Sequence, residues 1–205
     1  MSEPRFVDQV RALMRERLLD ATGELVVDRG WGAVTMNAVA TRVGVSRQTV
    51  YNEFGDKSGL GAALVMRELE GFLTLVTGEL GQRRQLVAAL GGAVEAVMRA
   101  AQDNPLLKDV LVSAHGGQAS LLPWLTTESS QLIDRAVAVV QAAVEDRPEL
   151  AAFSAAETGR LVQVVVRLVL SHVVQPTVPP EQVSAEVGWV VDRIVAAGPA
   201  RTRRR

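Results

Sequence analysis

The sequence predicts an all-α chain in two parts, with three short helices followed by six longer ones. Apolar residues recur at three- and four-residue steps in most segments, which is the period of a helix with one buried face. No convincing two-residue alternation of the kind that marks half-buried strands accompanies them. Polar capping residues, Gly and Pro punctuate the chain where these periodic segments end. An all-α fold of about nine helices follows.

The composition limits the classes of protein that fit. The chain has 205 residues, a formal net charge of −1 and no cysteine, so disulfides, zinc-thiolate sites and a cysteine nucleophile are excluded. A near-neutral chain does not suit a nonspecific nucleic-acid coat, which depends on many phosphate contacts. The N-terminus lacks the apolar run of a signal peptide, and the apolar stretches are too short to span a bilayer. We therefore expect a cytoplasmic protein without a membrane partner.

The first three predicted helices are short and sharply delimited. An apolar face on the first runs through Val10, Met14, Leu18, Ala21 and Leu25, and that helix should end near Arg29. Thr35 and Ser46 are of the residue types that cap helix N-termini, so each is expected to open a new helix. Gly44 lies in the turn between these two helices, as a helix-turn-helix requires.

The remaining periodic segments are longer and more apolar. Ser154-x-x-Glu157 has the spacing of a capping box, and Pro105 suits the first turn of a helix. The predicted segments are about Lys57–Leu80, Gln85–Ala101, a short helix from Pro105, Leu121–Asp146, a helix from Ser154 to Val174, and Glu181–Ala197. The predicted domains are residues 1–55 and 56–198, followed by a basic and disordered tail at 199–205.

The second helix of the predicted helix-turn-helix carries hydrogen-bonding side chains on its exposed side. Arg47, Gln48, Thr49, Tyr51 and Asn52 follow Ser46, and these residue types read base edges and phosphates. The second helix of such a motif lies in the major groove with its N-terminal residues at the bases. The pattern therefore predicts an interface for double-stranded DNA.

These residues carry a family resemblance. The segment from about Val10 to Leu64 resembles the DNA-binding domain of the TetR family of bacterial regulators, in the turn Val43-Gly44-Val45-Ser46, the run Thr49-Val50-Tyr51-x-x-Phe54 and the following Lys57. The resemblance implies an N-terminal three-helix DNA-binding domain and a C-terminal six-helix ligand-binding and dimerisation domain. By position, Arg47, Gln48 and Thr49 would read bases, while Thr35, Tyr51 and Lys57 would hold phosphates; the whole predicted contact set is Thr35, Ser46, Arg47, Gln48, Thr49, Tyr51, Asn52 and Lys57.

Three features of this segment qualify the resemblance. Glu53 would repel DNA unless it faces away, and Gly59 and Gly61 stand where the family is often richer in Glu and Leu, which suggests a loosely started fourth helix. Residues 1–60 hold eight basic and eight acidic side chains, so any positive surface must come from their arrangement. Arg11 and Arg15 of the first helix, with Arg5 and Arg17, are open alternatives as further phosphate contacts.

The last two predicted helices are expected to form a homodimer interface. The run LVQVVVRLVLSHVV is apolar nearly all round, so its helix should be buried on more than one side. The resemblance implies that this helix and the last one pair with their mates in a four-helix interface, for which the candidate residues are Val165, Val169, His172, Val187, Val191 and Ile194. The alternative is that both helices are simply core of one chain.

The ligand is less closely defined by the sequence. Aromatic residues make up 4% of the chain, and a cage for flat cations would need more of them, whereas an aliphatic tunnel needs the Leu, Val, Ala and Met that are present. The hypothesis is a long-chain fatty acid or acyl derivative, with a regulator of drug efflux or of another pathway as the alternative. Candidate pocket residues are His115, Trp124, Gln163, Arg167 and Phe72; the two histidines and Arg167 also fit ordinary core or interface roles.

Two other classes of function are weighed. An enzyme is not expected, because there is no Gly-rich phosphate loop, nucleophile elbow or closely paired His and carboxylate, and no cofactor or metal site is predicted. A helical module that binds a partner protein without DNA is the second alternative. The sequence favours a ligand-responsive regulator, a repressor that binds a palindromic operator as a dimer and is released by a small apolar ligand.

Overall fold

The structure, a computed structural model, describes residues 6–108, 121–125 and 130–199, with the side chain of Trp124 outside this description. These residues contain no strand and form nine bounded α-helices, and residues 105–108 are helical as well. The helices are α1 (Phe6–Arg29), α2 (Met36–Val43), α3 (Arg47–Phe54), α4 (Lys57–Gln82), α5 (Leu86–Asp103), α6 (Leu122–Leu125), α7 (Ser130–Val144), α8 (Ala155–Val174) and α9 (Pro180–Ala197). Short 3-10 turns lie at Trp31–Ala33 and Pro148–Leu150. The predicted all-α fold is confirmed.

The chain divides into two compact units. The first unit spans Met1–Glu68 and Asn104–Thr126, and the second spans Leu69–Asp103 and Thr127–Arg205. The continuous helix α4 contributes residues to both. The helix-turn-helix therefore lies wholly in the first unit, and α8 and α9 lie wholly in the second.

Local capping signals set the predicted helix starts. The Thr35 hydroxyl accepts a hydrogen bond from the Ala38 N–H at 3.1 Å, and α2 begins at the next residue. Ser154 and Glu157 form the expected capping box, in which the Ser154 N–H donates to Glu157 Oε2 at 2.9 Å. Each bond satisfies a backbone or side-chain group that the first turn of a helix leaves unpaired.

Two sequence-based expectations for the helices need adjustment. The single helix predicted from Leu121 to Asp146 corresponds to α6 and α7, and residues 126–129 between them lie outside the described part. The apolar face of α1 was expected to include Val10, yet Val10 is 46% exposed and the buried residues of α1 begin at Leu18. The first three turns of α1 therefore contribute little to the core, although their arginines contact α3.

The first unit is held together by aliphatic side chains from five elements. Its fully buried members are Leu18, Val26, Val34, Val39, Val50, Leu60 and Leu64. Trp31 is also buried and closes the core beside the 3-10 turn. Burying apolar surface in this way is worth about 25 cal/mol per Å² removed from water. The core fixes α1, α2, α3 and the start of α4 around a common centre.

The buried core cluster of the second unit is aliphatic, with the half-buried Phe153 packed against it. Its buried residues come from α4, α5, α7, α8, α9 and the turn before α8, and all are Leu, Val, Ala or Met. Helices α5 and α9 make the most extensive helix contact of the described residues, because Gly91 and Gly188 lie at their seam. The Ser184 hydroxyl donates to the Gly91 carbonyl at 2.9 Å across it.

Among the described residues, no helix has both the length and the apolar character needed to cross a membrane.

The turn after α7 clamps the ends of α4 and α5. The Arg147 guanidinium donates to the carbonyl oxygens of Arg83 and Arg84, both at 2.7 Å, and to that of Leu80. Glu149 Oε1 accepts from the Leu86 N–H at 2.8 Å. One turn thus satisfies a carbonyl in the last turn of α4, the two carbonyls that follow the helix and the first amide of α5, and helix ends otherwise leave such groups without partners.

Candidate nucleic-acid interface

The turn between α2 and α3 has the backbone geometry of a helix-turn-helix. Gly44 adopts φ 80° and ψ 33°, the left-handed region that favours glycine, and its N–H donates to the Ala40 carbonyl at 2.9 Å. Ala40 is buried, and its small side chain allows α2 and α3 to cross closely. The predicted turn is confirmed at Gly44, and α3 starts after the Ser46 cap.

Helix α3 is divided into a buried side and an exposed side. Val50 and Phe54 are buried in the core of the first unit. On the other side Ser46, Arg47, Gln48 and Asn52 are exposed, and Thr49 and Tyr51 are half-buried. The six polar residues that the sequence assigned to DNA from this helix are therefore brought together on one surface, available to a duplex.

The polar side chains of α3 are ordered by bonds within the helix. Arg47 donates to the Tyr51 hydroxyl at 2.8 Å, and its guanidinium carbon lies 5.0 Å from the Tyr51 ring centroid. Gln48 donates to Asn52 Oδ1 at 2.8 Å. The hydroxyls of Ser46 and Thr49 are 2.9 Å apart. Residues four apart on a helix are neighbours, so these pairs hold the donors in fixed directions before any DNA arrives.

Lys57 holds the connection between α1 and α2. Its ammonium donates to the carbonyls of Trp31 and Gly32, at 2.9 and 3.3 Å, and lies 4.9 Å from the Trp31 ring centroid. Burial lowers the pKa of Lys57 from its usual value. An ammonium has three N–H donors, so one donor remains for a phosphate.

Glu53 faces α1, away from the exposed row of α3. Its carboxylate accepts from Arg11 Nε at 2.9 Å and from an Arg15 guanidinium nitrogen at 2.8 Å, and Arg15 also stacks 4.9 Å over the Phe54 ring. Burial acts to raise the pKa of Glu53, but the hydrogen bonds and charges of Arg15 and Arg11 outweigh it and lower the pKa overall. The repulsion expected from Glu53 is thus neutralised locally.

Several acidic side chains of the first unit form ion pairs away from α3. Arg42 binds Glu24 and Asp28 at 3.2 and 3.0 Å, and Arg67 binds Asp20 at 2.7 Å. By contrast, Arg47 and Lys57 form no ion pair among the described residues. Asp20, Glu24 and Asp28 are therefore paired with arginines outside α3, and they do not engage Arg47 or Lys57.

The predicted ligand residues are only partly within the described chain. His115 and the side chain of Trp124 lie outside it. Phe72 on α4 and Gln163 on α8 are half-buried, whereas Arg167 is exposed on the outer side of α8. The structure does not gather these side chains into one described cavity, and the exposed Arg167 is better placed to contact another molecule than to line a pocket within the chain. No group of three or more possible metal ligands is found among the described residues.

The predicted dimer residues fall into two groups. Val165, Val187 and Val191 are 6, 0 and 0% exposed and belong to the core of the second unit. Their side chains pack inside the unit, so the accessible surface of α8 and α9 comes from other residues. Val169, Ile194 and His172 are half-buried, and His172 Nε2 lies 3.6 Å from Glu186 between α8 and α9.

The outer surface of α8 and α9 carries residues that the sequence analysis left out. Trp189 is 63% exposed and Val164 is 51% exposed. The signal was present in the spacing, because Trp189 is two positions out of phase with the stripe Val183, Val187 and Val191, and two helical positions rotate a side chain by about 200°. Large exposed apolar residues make this side of α8 and α9 a candidate interaction surface.

The fold and this site define a helix-turn-helix DNA-binding protein with a helical second unit. Residues 18–64 match the family described as bacterial regulatory proteins, tetR family, and residues 85–193 match the bacterial tetracyclin repressor C-terminal domain. The chain belongs to the TetR family of bacterial transcriptional regulators. Membership places it among DNA-binding regulators and not among enzymes.

Two regulators and one solved structure illustrate what this chain is similar to. The chain is 30% identical to the HTH-type transcriptional regulator AlkX of Mycobacterium tuberculosis over 193 residues, covering 91% of this chain and 87% of that protein. The transcriptional repressor KstR of Rhodococcus jostii is 34% identical over 104 residues, covering 49% of this chain and 46% of that one. The crystal structure of the repressor AlkX from Dietzia sp., implicated in biodegradation of n-alkanes, matches with a TM-score of 0.74 and 26% identity, covering 90% and 96% of the two chains.

Proposed function

We propose that this regulator is a ligand-responsive repressor that binds a palindromic operator as a homodimer and is released by a small apolar ligand. The observation that carries the proposal is the exposed row of ordered donors on α3, with Arg47 and Gln48 at its N-terminal end. In this proposal Arg47, Gln48 and Thr49 contact base edges. Thr35, Tyr51 and Lys57 contact phosphates and set the register of the helix on the duplex.

Dimerisation follows from what one recognition helix can read. A single helix-turn-helix contacts too few base pairs for an operator, and two related by a twofold axis read two half-sites. We assign the partner-facing surface to the outer side of α8 and α9, where Trp189 and Val164 are exposed, with Arg167 beside them on α8. The half-buried Val169, His172 and Ile194 lie at the margins of this surface.

The proposed ligand is a long-chain aliphatic molecule, such as a fatty acid or acyl derivative. A predominantly aliphatic core in the second unit favours such a ligand over a flat cation, which binds best among aromatic rings. The Dietzia repressor is implicated in biodegradation of n-alkanes, and we extend the same chemical class to this chain. A regulator of drug efflux with a non-lipid ligand is the alternative.

Ligand and DNA binding are proposed to be coupled. A ligand that binds one conformation better than the other shifts the equilibrium between them, and a coupling of about 1–3 kcal/mol changes DNA affinity about 5- to 150-fold. The continuous helix α4 is the proposed route, because it contributes residues to both units. We place this activity in the cytoplasm, where bacterial DNA is read.

The DNA part of the proposal is tested by an electrophoretic mobility shift with the region upstream of the protein's own gene. We expect the protein to shift this DNA. An unlabelled duplex of scrambled sequence should not compete for binding. Absence of a shift with any genomic fragment would favour the alternative, a helical module that binds a partner protein and not DNA.

The ligand part is tested separately, by thermal shift with alkanes, fatty acids and acyl thioesters of short, medium and long chains. The melting temperature should rise with chain length, and the stabilising compound should release the DNA. Stabilisation by flat cationic drugs, without any dependence on the chain length of the aliphatic compounds, would contradict the lipid ligand. It would favour the alternative, a regulator of drug efflux.

A further inference from the structure

The junction between the recognition helix and α4 is only two residues long. Helix α3 ends at Phe54 and α4 begins at Lys57, so only Gly55 and Asp56 connect them. Gly55 has φ 77° and ψ −67°, and the Asp56 N–H donates to the Phe54 carbonyl at 2.9 Å. These values describe a γ-turn with a positive central φ, a rare conformation that strains any residue with a Cβ.

The first turn of α4 packs directly against the end of α3. A Cβ added at Gly59 would lie 2.1 Å from the carbonyl oxygen of Phe54 and 3.3 Å from its carbonyl carbon. The obstructing atoms belong to the backbone, so they cannot rotate away as the tip of a side chain would. Gly59 was expected to loosen the start of α4; the structure shows instead that it allows this close approach.

Both sides of this contact are anchored. The Gly59 N–H donates to Asp56 Oδ1 at 2.8 Å, which caps α4. Phe54 and Leu60 are buried in the core of the first unit. Because both helix ends are held, a side chain at Gly59 can be accommodated only by a change in the direction of α3 relative to the first turn of α4.

We infer that Gly55 and Gly59 form a rigid joint that sets the orientation of the recognition helix, and that Gly59 is a positioning residue for sequence-specific DNA binding. The inference rests on the proposed function of α3. A joint of this kind affects base contacts more than phosphate contacts, because base readout requires exact register while phosphate attraction tolerates small rotations.

The test compares Gly59→Ala with Gly71→Ala and Gly78→Ala in the full-length protein. The two control glycines lie in the same helix, and nothing would meet their added Cβ within 4 Å. Each variant is titrated with a duplex that the wild-type protein selects from a random pool, and with a scrambled duplex. We expect G59A to lose roughly ten- to hundredfold in affinity for the selected duplex, the scale of a lost base-pair contact.

The other readouts separate positioning from a general loss of structure. Affinity for the scrambled duplex, its salt dependence and the helical circular dichroism should stay near wild type in G59A, and both control variants should bind like the wild type. Equal losses on both duplexes, or no loss on either, would overturn the inference.

A second variant covers the case in which G59A does not fold. Insertion of one glycine after Gly55 relaxes the joint without adding a clash, so the insertion variant should fold and still lose preference for the selected duplex. Retained preference would overturn the inference. If the wild-type protein itself selects no sequence, the proposed function fails, whatever the variants do.

Discussion

The Arg47 guanidinium donates a hydrogen bond of 2.8 Å to the Tyr51 hydroxyl, one turn further along α3. This bond joins the residue proposed to read a base to a residue proposed to hold a phosphate. Arginine has five N–H donors in a planar fork, so most of its donors remain available to the duplex. Tyr51 therefore orients Arg47 without consuming its capacity for a bidentate contact.

The first prediction separates the two roles in this pair. Arg47→Ala should weaken binding to the selected duplex by about 1–3 kcal/mol and relax preference at one base position, because a bidentate base contact is lost. Tyr51→Phe should weaken both duplexes by roughly 0.5–1.5 kcal/mol for the lost phosphate hydrogen bond, and the selected duplex somewhat more, because Arg47 also loses the hydroxyl that orients it. Fluorescence anisotropy with both duplexes measures the two effects.

A matched control for the change in charge is Arg84→Ala. Arg84 is exposed in the turn between α4 and α5, and we expect its loss to change neither affinity nor preference. Equal weakening of both duplexes by R47A would remove Arg47 from the base readers.

The second prediction concerns Lys57, which has two roles. Lys57→Met should reduce the slope of log affinity against log salt by about one, because one phosphate contact is lost. It should also lower the melting temperature of the free protein, because the carbonyls of Trp31 and Gly32 lose their ammonium donor. A changed melting temperature with an unchanged salt slope would leave Lys57 with a structural role alone.

The third prediction concerns acid stability through Glu53. The pKa of Glu53 is lower in the folded chain than its ordinary value, so its contribution is present above the ordinary pKa, about 4.3, and is lost as the pH falls through the lower folded value. Glu53→Gln should destabilise the protein at neutral pH by about 1 kcal/mol, a figure reduced for the exposure of the arginines. The same substitution should change the free energy of unfolding less at pH values below the lowered pKa of Glu53, where the wild-type carboxyl is also uncharged.

Urea unfolding from neutral pH down to acid pH measures the difference in the free energy of unfolding between E53Q and the wild type. Glu16→Gln is the control, because Glu16 is exposed on the same helix as Arg11 and Arg15 and forms no ion pair among the described residues. A cost for E53Q that does not depend on pH would show that the carboxylate charge is not what links α1 to α3.

The fourth prediction tests the partner-facing surface. Trp189→Ala should weaken the homodimer by about 2 kcal/mol or more, which is the size of effect that buried aromatic anchors have at interfaces. Leu75→Ala is the control, since Leu75 is also exposed but lies on α4. Sedimentation equilibrium gives the dimer constants. A W189A protein as dimeric as the wild type would exclude Trp189 from the interface.

The parts of the fold that were predictable depend on local chemistry. Thr35, Ser46 and the Ser154–Glu157 capping box each predict a helix start from side chains that lie within four residues of it. Gly44 predicts the turn. The run of hydrogen-bonding residues after Ser46 likewise predicted the exposed side of α3. The structure confirms these helix starts and the turn because backbone groups at helix ends are satisfied by nearby side chains.

The parts that were not predictable depend on contacts distant in sequence. Helix α8 is apolar nearly all round, so periodicity could not show that Val165 faces the core while Val164 faces outward. The Glu53 contacts with Arg11 and Arg15 join residues 42 and 38 positions apart, respectively. Likewise, the close approach of Gly59 to the Phe54 carbonyl follows from the path of the junction, which no spacing in the sequence specifies.

The measurement that tests the central claim most directly is selection of bound duplexes from a random pool by the wild-type dimer, followed by sequencing. We predict a palindromic consensus whose half-sites are centred one helical turn, about 34–36 Å, or a multiple of it apart. The same selection with R47A should relax one position symmetrically in both half-sites. Enrichment of no sequence, or of an asymmetric site unchanged by R47A, would contradict the account.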